Sequence, residues 1–82
     1  MPYTRSQRAV LREFGERVRS AREARGWTQE ELAAEADLDR TYIGGIERGE
    51  RNLALLNMNK LAVALGDGFA GFLPCRPASR RR

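Results

Sequence analysis

The feature that most constrains this chain is the stretch from Gln29 to Arg48, in which apolar and small side chains recur at helical spacing on both sides of a short turn. These positions are Leu32, Ala33, Ala36, Leu38, Ile43 and Ile46, and no proline interrupts them. A bulky side chain at Ala33 would hold two packed helices apart. Asp37 falls at the turn, where a left-handed backbone is expected and Asp is tolerated better than most residues. The stretch therefore predicts two short, closely packed helices.

Local start and stop signals divide the rest of the chain into further helices. A first helix is expected over about Ser6–Arg25, ended by Gly26. Thr28 and Glu31 have the spacing of a capping box, which opens a second helix that runs to about Ala36. The other predicted helices run from the cap at Asp39 to Arg48, before Gly49, and over about Leu55–Leu65, before Gly66.

Apolar spacing predicts which faces of these helices are buried. The first helix carries a stripe of Leu11, Phe14, Val18 and Ala21, and the fourth shares Leu55, Met58, Leu61, Ala62 and Leu65 on one face. Gly44 and Gly45 adjoin inside the third helix, where each costs about 1 kcal/mol relative to alanine. Close approach to a ligand at Gly44 and close packing against the second helix at Gly45 would explain the pair, although packing alone could explain both.

The expected fold is all-α, a compact five-helix domain. Phe69 and Phe72 lie in a Gly-rich stretch that predicts a short fifth helix or turn. With 82 residues the chain holds one domain. We divide it into an N-terminal extension that starts the first helix (residues 1–10), the helical domain (11–73) and a disordered basic tail (74–82).

Composition excludes several classes of function. The net charge of +4 comes entirely from Arg76, Arg80, Arg81 and Arg82, so residues 1–75 are balanced between acidic and basic side chains. The chain has one cysteine and no histidine, so we expect no metal, no cofactor and no catalytic residues, and hence no enzyme. No stretch predicts a membrane span or a secretory signal, so we expect a cytoplasmic protein.

Three runs give the chain a specific resemblance. They are WTQEELA at residues 27–33, DRTYIGGIERG at 39–49 and RNL at 51–53. Together they resemble the phage-repressor and Cro-like (XRE-type) helix-turn-helix family, and within it the controller proteins of restriction-modification systems. Gly44 departs from that pattern, since serine is more usual there, and so does the Arg-rich tail. The resemblance implies a repressor-like DNA-binding fold and a homodimer.

The resemblance also implies which residues would contact DNA, because the third helix of this family enters the major groove by its N-terminal end. The candidate base contacts are Arg40, Thr41, Tyr42, Gly44 and Arg51, and the candidate phosphate contacts are Thr28, Gln29, Arg48 and Asn52. Each has a plainer alternative. Arg40 could be a solvated surface arginine, Tyr42 a half-buried packing residue, and Arg48 a cation that only complements the helix dipole.

Two further sets of residues are assigned to structure and assembly. The family arrangement implies a partly buried ion pair between Arg22 and Glu47. Because one short helix reads few base pairs, a dimer is expected. Its candidate interface residues are Leu56, Met58, Asn59, Phe69 and Phe72, of which Leu56 falls off the core face of its helix.

The function expected from these observations is that of a sequence-specific transcriptional regulator that binds palindromic double-stranded DNA operators as a dimer. We expect no small-molecule ligand and no membrane partner. The alternative is an antitoxin-type or accessory helix-turn-helix protein that acts mainly through a partner protein. A small enzyme is disfavoured because the sequence shows no nucleophilic side chain together with a general base to activate it.

Overall fold

The computed structural model describes residues 3–66, in which the chain forms four helices joined by short loops. They are α1 (Arg5–Ala24), α2 (Gln29–Ala36), α3 (Arg40–Glu47) and α4 (Leu55–Ala64). Each predicted end lies within one residue of the observed one, and within residues 3–66 there is no strand. The predicted fifth helix with Phe69 and Phe72, and the predicted tail, lie outside the described residues. No helix in the described part is long and apolar enough to cross a bilayer.

Side-chain caps explain where three of the helices begin. The predicted capping box at Thr28 and Glu31 is present, with the Thr28 hydroxyl accepting from the Glu31 N–H at 3.1 Å. Asp39 caps α3 by accepting from the Thr41 N–H. Thr4 forms a second capping box at the start of α1, which the sequence analysis did not anticipate. These caps satisfy backbone donors that the first helical turn leaves without partners.

The turn between α2 and α3 has the predicted left-handed backbone. Asp37 ends α2 with φ 57° and ψ 50°, and in residues 3–66 it is the one non-glycine residue with a positive φ. The short aspartate side chain tolerates this conformation better than most. The turn thus brings α3 back across α2 without a glycine.

The core forms where α3 packs against both α1 and α2, with α4 covering α2. Its buried apolar side chains are Phe14, Val18, Leu32, Ala33, Ala36, Ile43, Ile46, Leu61, Ala62 and Leu65. The expectation that Leu55 shares the buried face of α4 is wrong, because its side chain is 68% exposed. Leu55 is the first residue of its helix and precedes the turns that reach α2.

Helices α1 and α3 approach each other closely at Gly15, a residue that was not predicted to have a structural role. A Cβ placed on Gly15 would overlap the carbonyl oxygen of Ile46 and lie 2.8 Å from that of Glu47. Both atoms belong to the backbone of α3. The absence of a side chain at Gly15 therefore allows the backbones of α1 and α3 to touch, and this contact sets the position of the last turn of α3.

Gly15→Ala is expected to destabilise the protein. At an exposed helix position the same change stabilises by about 0.5–1 kcal/mol, because glycine is a poor helix former. Here the added methyl group meets backbone oxygens, so we expect a loss of about 2 kcal/mol in the free energy of unfolding, measured by urea denaturation. Ser20→Ala, at an exposed position of α1, is the control and should stay within about 0.5 kcal/mol of wild type. A neutral or stabilising Gly15→Ala would contradict the close approach.

Candidate nucleic-acid interface

The first turn of α3 projects two polar side chains into solvent. Arg40 and Thr41 directly follow the cap at Asp39, and both are exposed. The Asp39 carboxylate accepts from the Thr41 N–H at 2.9 Å and so holds the start of the helix. Within residues 3–66 the side chains of Arg40 and Thr41 form no hydrogen bond or ion pair. Their donors are therefore available to a ligand.

The other end of α3 is held by a buried ion pair, and the pair expected between Arg22 and Glu47 is present. Arg22 donates from Nε to Glu47 Oε2 at 2.7 Å and from Nη2 to Oε1 at 3.0 Å. The two side chains are 11% and 4% exposed. The Arg22 guanidinium also donates to the carbonyl of Trp27 at 2.8 Å, so it joins α1, the α1–α2 loop and α3.

The Arg22 guanidinium keeps its charge over the usual pH range. The hydrogen bond to Glu47 raises the pKa of Arg22 above its ordinary value, although burial acts in the opposite direction. A group with a raised pKa in the folded state contributes stability below its unfolded pKa and loses it only as the pH rises past the folded pKa. For Arg22 that loss falls in strongly alkaline solution.

Gln29, a predicted phosphate contact, uses its side chain within the protein. Its amide Nε2 donates to Glu47 Oε1 at 3.0 Å, and the residue is half-buried. Its backbone remains available, because the Thr28 cap takes only the Glu31 N–H. The N–H groups of Gln29 and Glu30 have no acceptor among the described residues. They sit at the positive end of the α2 dipole, which suits an anion.

Arg40, Gly44 and Arg48 follow one another at intervals of four residues. Gly44 and Arg48 therefore lie on the face of α3 that begins with Arg40. Gly44 is buried beneath the Arg48 guanidinium, whose Nη1 lies 3.2 Å from where a Cβ would be. Arg48 is exposed, and its Nε is 3.1 Å from Glu50 Oε2. The hydrogen bond from Arg48 lowers the pKa of Glu50 below its usual value, so this pair persists to lower pH than an ordinary glutamate would allow.

Tyr42 is anchored in the protein and in turn positions Arg51. The tyrosine is half-buried against the core, and its hydroxyl accepts from Asn57 Nδ2 at 3.2 Å. The Arg51 guanidinium lies over the Tyr42 ring, 5.7 Å from its centroid. The explanation of Gly45 by packing against α2 is wrong. The group nearest to a Cβ there would be the Arg51 side chain, with Cγ at 2.9 Å.

The remaining predicted site residues lie away from the start of α3. Asn52 is exposed and lines a hollow with Gln7 and Leu11 of α1. Leu56 is 74% exposed, Asn59 is exposed, and Met58 packs partly against the core. Phe69 and Phe72 fall outside the described residues.

Two exposed apolar residues of α4 extend the surface around Leu56. They are Leu55 and Val63, which are 68% and 71% exposed. The spacing of Leu56 and Val63, seven residues apart, could have indicated in the sequence that they share a face. In residues 3–66 no cluster of acidic, cysteine or histidine side chains could hold a metal ion.

Comparisons with known proteins identify the family to which the chain belongs. A family model described as helix-turn-helix matches residues 18–67. The control protein C.BamHI of Bacillus amyloliquefaciens is 52% identical over 54 residues, which cover 65% of this chain and 67% of that protein. A hypothetical transcription factor of Neisseria meningitidis is 46% identical over 66 residues, which cover 80% of this chain but only 59% of that relative.

Solved structures of restriction-modification controller proteins are also similar to this chain. The restriction-modification controller protein C.AhdI from Aeromonas hydrophila superposes with a TM-score of 0.77 at 48% identity, covering 79% of this chain and 98% of that one. The controller protein C.Esp1396I, crystallised as a tetramer in complex with its natural 35 base-pair operator, superposes with a TM-score of 0.71 at 36% identity, covering 77% of this chain and 83% of that one. The chain therefore belongs to the helix-turn-helix family of the phage-repressor type. Within that family it is similar to restriction-modification controller proteins.

Arg22→Met is expected to cost about 3 kcal/mol in the free energy of unfolding, because it leaves the buried Glu47 carboxylate without its charge partner. The matched control is Arg19→Met, which breaks the exposed pair with Glu23 and should change stability by no more than about 1 kcal/mol. Urea denaturation of both variants measures the difference. Equal losses in the two would show that the Arg22 pair does not brace α3.

Proposed function

We propose that this chain is a transcriptional regulator that binds palindromic double-stranded DNA operators as a homodimer, in the manner of a restriction-modification controller protein. The observation that carries the proposal is that Arg40 and Thr41 are exposed and have no side-chain partner within residues 3–66, at the start of a helix whose other end is braced by Glu47. The similarity to control proteins, one of them crystallised on its operator, supports it independently. The protein acts by binding in the cytoplasm and needs no catalytic group.

Arg40 and Thr41 read base edges in the major groove. An arginine donates two parallel hydrogen bonds to O6 and N7 of guanine, worth about 1–3 kcal/mol of discrimination. Thr41 offers its methyl group to thymine or its hydroxyl to either type of base. Arg51, held over Tyr42, supplies a third contact at the far side of the recognition surface. Tyr42 acts through this positioning, since Asn57 already engages its hydroxyl.

Phosphate contacts set the register of α3 in the groove. The free N–H groups at the start of α2, beside Thr28 and Gln29, bind one phosphate through the helix dipole. Arg48 exchanges Glu50 for a second phosphate, which is possible because both partners of that ion pair are exposed. Asn52, in the loop after α3, donates to the neighbouring backbone.

Dimerisation supplies the affinity that one short helix lacks. We assign the interface to the exposed apolar side of α4, where Leu55 and Val63 flank Leu56, together with Asn59. Burying these side chains against a second copy removes apolar surface from water. The two recognition helices then face half-sites about one helical turn, ~34 Å, apart.

Arg40→Ala is expected to remove the preference for the operator and leave weak binding to any duplex. Footprinting on the DNA upstream of the protein's own gene identifies the operator. Fluorescence anisotropy with that duplex and with a scrambled one then measures the ratio of the two affinities. The lost guanine contact should lower this ratio by about tenfold to a hundredfold per half-site.

Arg17→Ala is the control for this experiment, because it removes a positive charge that is paired with Glu13 on the same helix. It should leave the ratio unchanged. If Arg40→Ala weakened binding to both duplexes by the same factor, Arg40 would be a phosphate contact and the assignment to base recognition would be wrong.

Leu56→Glu is expected to weaken the dimer, since it places a charge on the apolar side of α4. Sedimentation equilibrium should show the dimer dissociation constant rising at least about tenfold, with the melting temperature of the monomer little changed. Val10→Glu adds the same charge at an exposed apolar position of α1 and serves as the control. A Leu56→Glu variant that dimerises like the wild type would remove α4 from the interface.

A further inference from the structure

Three arginines on α1 are exposed and have no role in the site described above. Arg5, Arg8 and Arg12 are spaced by three and four residues, so they share one side of the helix. We call this set the arginine stripe. Within residues 3–66 none of its guanidinium groups forms an ion pair or a side-chain hydrogen bond.

Several other basic side chains in the described part of the chain form ion pairs, unlike those of the stripe. Five basic side chains are matched with carboxylates, namely Arg17 with Glu13, Arg19 with Glu23, Arg22 with Glu47, Arg48 with Glu50 and Lys60 with Asp37. The cations left without a carboxylate therefore include the stripe and Arg40, the proposed base contact. Among the described residues Arg25 also lacks a carboxylate, but its guanidinium donates to the Leu65 carbonyl. Apart from Arg25 and the stripe, the unmatched cations in residues 3–66 are Arg40 and Arg51, which belong to the surface proposed to meet DNA.

The stripe lies near the N-terminal end of α1, where positive charge does not stabilise the helix. It occupies the first turns of α1, and the first turn holds no acidic residue. The N-terminal end of a helix carries a partial positive charge, so cations there are unfavourable and anions favourable. The helix dipole therefore does not explain Arg5 and Arg8, and it has little effect at Arg12, which lies beyond the first turns. A negatively charged partner would explain them.

The fold places the stripe next to the end of the recognition helix. The backbone of Gly49, just after α3, lies against Arg12, whose Cα is 2.8 Å from where a Gly49 Cβ would be. Arg8 and Arg12 line one cleft with Arg48 and Glu50. Arg48 in turn belongs to the face of α3 that starts at Arg40. The stripe thus continues the proposed DNA-facing surface from α3 onto α1.

We infer that the arginine stripe binds phosphate groups of duplex DNA and forms a second, sequence-independent contact surface on α1. This inference rests on the proposed function, because it assumes that α3 docks on DNA. The contacts are electrostatic and read no bases, so the stripe contributes equally to operator and non-operator duplexes. Each dimer presents the stripe twice.

The test compares two variants of the full chain with equal loss of charge. Arg8→Gln/Arg12→Gln removes two stripe arginines, and Arg17→Gln/Lys60→Gln removes two cations that are paired elsewhere. Fluorescence anisotropy with the operator and a random-sequence duplex, from about 50 to 200 mM salt, gives the slope of log affinity against log salt. Each lost phosphate contact reduces that slope by about 0.9. The stripe variant should lose about 2 in slope per protomer and bind both duplexes at least about tenfold more weakly at the lowest salt.

The control variant should keep the wild-type slope, and the stripe variant should melt no lower than the wild type, because removing cations from the start of α1 does not harm the helix. A wild-type slope in the stripe variant, or an equal decrease in both variants, would overturn the inference. If the wild type and the Arg40→Ala variant behave as proposed while the stripe variant binds normally, only the stripe fails. A wild type that binds neither duplex would refute the proposed function as well.

Discussion

The ion pair between Arg22 and Glu47 is the interaction on which the arrangement of the recognition helix depends. It joins the last turns of α1 to the end of α3, and Gln29 adds the start of α2 to the same carboxylate. A buried charge held by several donors is strongly destabilising to unpair, so few alternative packings of these helices can compete. Gly15 completes the joint by letting the two backbones touch.

The ion pair and the Gly15 contact hold the C-terminal end of α3. They leave side chains at its N-terminal end free to meet a ligand. The last turn is buried in the core, whereas the side chains of Arg40 and Thr41 in the first turn extend into solvent just after the cap at Asp39. Because α3 is fixed at its C-terminal end, its recognition side chains are held in place before the ligand binds. This reduces the entropy that is lost on binding. Arg51 is prepared in the same way by the ring of Tyr42.

Charge pairing rather than net charge distinguishes the surfaces of this protein. Residues 1–75 are balanced overall, so composition alone would not reveal a DNA-binding surface. Ion pairs occupy five of the eleven basic side chains in residues 3–66, and the unpaired arginines include those in the first turns of α1 and Arg40 at the start of α3. A groove or helix face with unmatched positive charge concentrates a polyanion even when the whole domain is near neutral.

Local signals accounted for most of what sequence reasoning predicted correctly. The capping box at Thr28, the cap at Asp39 and the left-handed turn at Asp37 are decided by a few neighbouring residues, and each is present. The predictions that were wrong concern Leu55, which precedes the turns of α4 that reach α2, and Gly45, which faces the Arg51 side chain rather than α2. The spacing of Arg5, Arg8 and Arg12 was visible in the sequence, but its position beside Gly49 was not.

The sequence by itself thus determined the helices, their caps and the exposed residues at the start of α3, because helix ends and amphipathic faces follow from interactions over three or four positions. Only the tertiary structure decided that Gly15 lies against the α3 backbone, that Asn57 engages Tyr42, and that the arginines of α1 adjoin the end of α3. These contacts join residues far apart in the chain, and they depend on the angle at which the helices cross, which no short stretch of sequence encodes.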